Sequence, residues 1–217
     1  MILLRTILQL EHDVPTRRMD IAHYKQEDLI EMMATLLLEL SESNFSTNSL
    51  PIDALKDREY ESCADSVSLF CAKKAPSITI HAYLTRIFKY CPATNDVFLS
   101  LLVYFDRLVV LSGGAVVIGN ENIHRLLIAG FTCASKYWSD VYYTNSRSAK
   151  VGGIRLQELN TLELHYFSLL KFSLYIRLEE LQQYADGLLH WYTKRQQLNG
   201  SNNSHEAKIP KTQDNDD

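Results

Sequence analysis

Two clusters in this chain of 217 residues carry side chains able to act on another molecule. The first, Ala134-Ser135-Lys136-Tyr137-Trp138-Ser139-Asp140, reads as the end of a small-residue helix that sets a lysine among aromatics. The second, Glu158-Leu159-Asn160-Thr161-Leu162-Glu163, opens an amphipathic helix that carries a glutamate. A lysine offers three donors and no acceptor, and a glutamate offers only acceptors. On neighbouring packed helices the two side chains can grip the backbone of another protein. That pattern points to partner binding rather than to catalysis.

Motifs for reaction chemistry are missing. Gly113-Gly114 and Gly152-Gly153 follow no strand and match neither the P-loop nor the dinucleotide fingerprint, so they read as helix terminators. The histidines are scattered without an H-x-x-x-H pair, and His81, His124 and His165 read as helix-surface or interhelix residues. Cys63, Cys71, Cys91 and Cys133 have no C-x-x-C spacing. They read as reduced thiols in the helical core of an intracellular protein, nuclear, cytoplasmic or both. No G-x-S-x-G is present, and Trp138 with Tyr142-Tyr143 reads as packing or interface rather than as a small-molecule pocket. No metal and no cofactor is expected.

Composition agrees with this. Hydrophobic residues make up 46% and charged residues 22%, the balance of a globular domain with a real core. The net charge of −4 supplies no general field for a phosphate backbone, so no nucleic-acid partner is expected. Met1-Ile2-Leu3-Leu4 begins like a signal sequence, but Arg5 and the polar run Glu11 to Asp13 cut it short. The longest apolar run, Val97 to Leu111, contains Asp106 and Arg107 and falls below the ~18 residues of a membrane span. No membrane partner is expected either.

The elements that must position the two clusters follow from apolar spacing. Leu29, Ile30, Met33, Leu36, Leu37 and Leu40 predict a helix from Gln26 to Leu40, followed by a Ser/Asn/Thr-rich loop over 41–49. One or two short helices are expected in 51–74, before Pro76. Ser77 is placed to cap a helix with Ile80, Tyr83, Leu84, Ile87 and Phe88 on its inner face, ended by Pro92. Thr94 or Asn95 starts a helix through Leu111 that is apolar all round and therefore central. Asp106 within it must find a partner, and Arg107, adjacent in sequence, points elsewhere; a helix-to-helix hydrogen bond is the expected role. Asn120 or Asn122 starts a third helix, Ile123 to Trp138, whose Ala129, Gly130, Ala134 and Ser135 permit close approach. A short helix over 146–150 precedes Gly152-Gly153. Two more helices follow, Leu156 to Lys171 (inner face Leu156, Leu159, Leu162, Tyr166, Leu169 and Leu170) and Leu178 to Gln197. Residues 199–217 are polar and expected to be disordered.

In this order the motifs resemble a cyclin box. The likeness rests on Val103-Tyr104-Phe105-Asp106-Arg107-Leu108, Ile123-His124-Arg125-Leu126, Ala134-Ser135-Lys136-Tyr137 and Leu162-Glu163 with Phe172. Asn145-x-x-x-Ala149-Lys150-Val151-Gly152-Gly153 and Glu158-Leu159-Asn160-x-Leu162-Glu163 narrow it to the phosphate-response cyclins, the P/U-type branch. The resemblance covers about 77–176. It implies an all-α fold, a single five-helix box that binds and activates a cyclin-dependent Ser/Thr kinase by positioning its helix C, with no catalysis of its own. Lys136 and Glu163 match the residues that contact the kinase backbone at the entry to that helix. Tyr137, Phe167 and Phe172 fall where cyclins present apolar surface to it. Asp140, just after the lysine helix, reads either as a carboxylate that pairs with a kinase arginine in place of an activation-loop phosphate or as an ordinary solvated loop aspartate. The arginine that usually partners Asp106 is missing; Ser77 occupies its place.

The resulting layout is an N-terminal extension (1–25), a helical extension (26–74), the box (75–176), one C-terminal helix (177–198) and a polar tail (199–217). A second complete repeat does not fit after the box. Residues 1–24 and 199–217 are expected to be dispensable for kinase binding, although Ile7, Leu8 and Leu10 could dock on the box. The alternative function is a cyclin-fold transcription or scaffold module without a kinase, for which clustered Lys/Arg on the third and fifth helices would be the sign; those helices lack it.

Overall fold

A computed structural model describes residues 4–8, 18–47, 67–72 and 74–206. Among these residues the fold is all-α, with no strand. The helices are α1 (Leu4–Ile7), α2 (Gln26–Thr47), α3 (Ile80–Tyr90), α4 (Asn95–Leu111), α5 (Ile123–Trp138), α6 (Asn145–Gly152), α7 (Leu156–Leu169) and α8 (Leu178–Glu206). The stretch expected to hold short helices before Pro76 lies largely outside the described residues.

Helix α4 is the axis of the molecule, because its apolar residues surround it and each must leave water. Thirteen of its seventeen residues are buried, Val97 to Phe105 without a break. It packs against α1, α5 and α8, while α5 packs in turn on α6 and α7, and α2 on α3 and α8. Gly130 lets α5 and α7 close on each other: a Cβ there would lie 2.6 Å from the Tyr166 hydroxyl oxygen. Tyr166 is itself fully buried.

Asp106 finds partners at both ends of the chain. Its Oδ1 accepts from the Leu4 backbone N–H at 2.6 Å, and its Oδ2 accepts from the Tyr184 hydroxyl of α8, also at 2.6 Å. The expected helix-to-helix hydrogen bond is present, joined by a contact from the N-terminal segment. Arg107 does turn the other way. Its guanidinium donates to the Ser173 and Tyr175 carbonyls at 3.0 and 2.8 Å and to Glu180 at 2.9 Å. It thereby fastens the connection between α7 and α8.

Residues ahead of α2 belong to the fold. Leu4, Leu8 and Met19 are buried, and Ile7 is packed against the core. The Met19 N–H donates to Asp186 of α8 at 2.6 Å, and Gln182 returns a bond to the Met19 carbonyl at 2.8 Å. The docking of Ile7 and Leu8 is seen, whereas Leu10 lies outside the described residues.

Several boundaries move. Helix α2 continues to Thr47, through residues expected to form a loop. Its buried polar groups are satisfied where they lie: the Ser41 hydroxyl donates to the Leu38 carbonyl at 2.8 Å, and the Asn44 amide to the Ile118 carbonyl at 3.0 Å. Thr79, not Ser77, caps α3, accepting from the Ala82 N–H at 3.1 Å. The chain bends at Ser77 and Ile78 and is extended at Thr79, with the Ile78 carbonyl engaged by His124 at 2.9 Å. Helix α6 starts one residue early, and α7 stops at Leu169 rather than Lys171. Leu156 is exposed rather than inward-facing. Helix α8 runs to Glu206, past the expected end at Gln197; residues 207–217 of the polar tail lie outside the described residues. Cys91 and Cys133 are free and buried as expected, but Cys71 is free and exposed, and Cys63 is not described.

Removing the hydroxyl that serves Asp106 should be costly. Tyr184→Phe is expected to lower stability by about 1–3 kcal/mol, the range for stripping a hydrogen bond from a buried charged group. Urea unfolding of the variant beside the parent chain measures this, and an unchanged midpoint would contradict it.

Candidate functional site

Lys136 lies in the last turn of α5, where a cation is favoured by the helix dipole. Glu163 sits in the middle of α7. The packing of α5 on α7 brings the two together: the lysine Nζ donates to Glu163 Oε1 at 2.5 Å. Their side chains are 30% and 14% exposed, so the pair is at the surface yet largely shielded. A third helix reaches the same carboxylate. Asn145, the first residue of α6, donates from Nδ2 to Glu163 Oε2 at 2.6 Å and to Asn160 Oδ1 at 2.8 Å. Sequence reasoning assigned no role to Asn145 or Asn160, although both stand in the motifs that carried the resemblance.

Aromatic surface flanks the pair. Tyr137 follows Lys136 directly, is exposed, and meets Trp138 edge-on at 5.7 Å. Phe167, one turn beyond Glu163 on α7, stacks on Phe172 with ring centroids 6.4 Å apart. Phe172 is 72% exposed. Tyr142, read as packing or interface, is exposed, and so are Val141 and Leu164, which were not singled out; Val141, at 85%, stands almost fully in water. Tyr143 is half-buried beneath the Arg147 guanidinium, 4.4 Å from its ring centroid. Asp140 is exposed in the loop after α5.

The turn that displays Phe172 is strained. Lys171 and Phe172 have φ of 48° and 59°, and they are the only non-glycine residues with positive φ among those described. The left-handed region costs an L-residue roughly 1–2 kcal/mol, so two in succession are held there by their surroundings. Such strain gathers at functional sites.

The same helix pair carries a second ion pair, Arg125 of α5 with Glu158 of α7, at 2.7 Å. Cys133 lies one turn before Lys136, and burial pushes its thiol far up, so it is a packing group and not a nucleophile. Among the described residues no cluster of three His, Cys, Asp or Glu side chains is placed to hold a metal ion. No described helix is long and apolar enough to cross a membrane.

An all-α domain built round one buried helix, with a charged pair and exposed aromatics where α5, α6 and α7 meet, defines a partner-binding regulatory protein. The cyclin family model matches residues 27–174, a span that takes in α2 as well as α3 to α7, and the chain belongs to the cyclin family. Members of that family are regulatory subunits and not enzymes.

The relatives narrow the branch. The chain is similar to the PHO85 cyclin-like protein psl1 of Schizosaccharomyces pombe, with 50% identity over 85% of this chain and 76% of that one. It is 41% identical to PHO85 cyclin-7 of Saccharomyces cerevisiae, over 80% of this chain and 64% of that protein. It is 38% identical to Cyclin-U4-1 of Arabidopsis thaliana, over 67% of each. These matches agree with the P/U-type branch.

Relieving the strained turn should stabilise the free chain. Lys171→Gly, which removes the Cβ penalty at a positive φ, is expected to raise stability by up to about 1 kcal/mol after the glycine's own entropy cost. A thermal melt decides the point, and a lower midpoint would show that the turn is unstrained.

Proposed function

We propose that this chain is the regulatory subunit of a cyclin-dependent Ser/Thr kinase of the PHO85 type, acting inside the cell, in the nucleus, the cytoplasm or both. It activates the kinase by holding helix C in its inward position. The observation that carries this reading is a clamp with unused capacity. Lys136 spends one of its three donors on Glu163, and Glu163 has accepted two of about four possible bonds. Two donors and two acceptor sites are left, at a surface flanked by Tyr137, Phe167 and Phe172. A backbone segment entering there finds partners for both its carbonyls and its N–H groups, beside apolar area for the helix that follows.

Activation then follows from linkage. A kinase of this type is inactive while helix C is displaced and its Lys–Glu ion pair is unmade. A partner that binds only the inward arrangement shifts the population toward it, by as much as its affinity differs between the two states. Asp140 adds a charge at the rim. Its carboxylate pairs with a kinase arginine and takes the place of an activation-loop phosphate. Asp140→Asn should therefore reduce the activity of an unphosphorylated kinase at saturating cyclin, and unchanged activity would remove Asp140 from the mechanism.

Lys136→Glu and Glu163→Lys test the clamp. Losing a desolvated charged partner at an interface costs about 2–5 kcal/mol, a loss of affinity on the order of thirtyfold or more. Calorimetric titration against a purified PHO85-type kinase should show that loss, with the helical circular dichroism of the free variants kept. Affinities near wild type in both would remove Lys136 and Glu163 from the mechanism, whereas failure of the wild-type chain to bind would overturn the kinase reading and favour a cyclin-fold scaffold or transcription module.

A further inference from the structure

We infer that Asn145 is a positioning residue for the kinase-facing carboxylate: it holds the Glu163 oxygen that Lys136 does not, and so ties the clamp to the placement of α6. The inference rests on the kinase-clamp reading of Lys136 and Glu163.

The geometry uses the whole amide. An asparagine NH₂ has two protons, and here one goes to Glu163 Oε2 at 2.6 Å and the other to Asn160 Oδ1 at 2.8 Å. Both partners are oxygens, so the amide is held with nitrogen toward them; the flipped amide would set an oxygen against two oxygens. Asn160 precedes Glu163 by three residues and shares its face of α7. It therefore orients Asn145 from the same helix that carries the carboxylate.

The consequence is a carboxylate fixed at both oxygens by groups from two other helices. Lys136 fixes one with a charge, and Asn145 fixes the other without adding one. Asparagine leaves the negative charge of the pair available to a partner's N–H, which an arginine or lysine at 145 would compete for and an aspartate would repel. Glu163 has lost its rotamer freedom before any partner arrives, and binding to a pre-organised group avoids that ordering cost.

Helix α6 is itself anchored to α3. Thr144 caps its start, with its hydroxyl accepting from the Arg147 N–H. Arg147 donates through Nε and Nη2 to the Tyr90 carbonyl at the end of α3, at 2.9 and 2.5 Å. The Tyr83 hydroxyl donates to the Gly152 carbonyl at 3.1 Å, and Arg86 to the Lys150 carbonyl at 3.1 Å. Gly153, at φ +71°, closes the helix. The position of the Glu163 carboxylate is thus set by α3 through α6, as well as by α5.

The test separates positioning from folding and from the kinase reading. Asn145→Ala is titrated against a purified PHO85-type kinase in the wild-type and Glu163→Ala backgrounds, and the side-chain amide resonances of Asn145 are followed in the free chain. The expected results are a loss of about tenfold in wild type, no further loss when Glu163 is already alanine, and displaced amide resonances on Glu163→Ala without any kinase present. An equal loss in both backgrounds would show a structural role only and overturn the inference. Unmoved amide resonances would overturn it by denying the contact. Failure of the wild-type chain to bind, or of Glu163→Ala to weaken binding, would instead sink the clamp on which the inference stands, whatever the amide shows.

Discussion

A helix that is apolar on every side leaves no room for an unmet charge, and α4 carries one. Asp106 is 2% exposed at its centre line, in surroundings where an isolated carboxylate is very costly. The backbone N–H of Leu4 and the hydroxyl of Tyr184 both donate to the carboxylate. Both lie far from Asp106 in sequence, so one buried charge draws the N-terminal segment and α8 onto the same side of the core. Arg107, one residue on, clasps the 173–175 segment and Glu180. The faces of α4 toward α1 and α8 are thereby covered.

On that surface the structure invests in order ahead of binding. Three helices deliver one side chain each to a single point, and the bond lengths of 2.5 and 2.6 Å at Glu163 belong to charge-assisted contacts. Phe172 stands in water at the end of a turn with two successive left-handed residues. A carboxylate of fixed direction and an aromatic held at a positive φ by its surroundings would both lower the ordering cost of an encounter under the proposed function.

Much of this was legible in the sequence. Periodicity located α3, α4, α5 and α7 to within two residues, because each carries an apolar face that is buried in the structure. The motifs around Lys136 and Glu163 placed the two on neighbouring packed helices, where the structure pairs them. What escaped had no side-chain signature. One group that reaches Asp106 from the N-terminal segment is the backbone N–H of Leu4, which any residue but proline would supply at that position. Ser41 and Asn44 read as loop because their polarity argues for water, yet both are buried and bonded inside α2. Asn145 became visible only when α6 was seen to deliver it to a residue eighteen positions away; the signal available beforehand was two asparagines standing in ordered motifs with no packing role to explain them.

The most direct test is the charge-swapped double variant, Lys136→Glu with Glu163→Lys, titrated against a purified PHO85-type kinase beside a thermal melt of the free chain. The swap restores attraction inside the subunit but presents a carboxylate where the kinase backbone needs a donor, and a donor where it needs an acceptor. The account predicts that the melting temperature recovers relative to either single reversal while the affinity stays at least about thirtyfold below wild type. Affinity that recovers together with stability would contradict it, reducing Lys136 and Glu163 to an internal tie between α5 and α7.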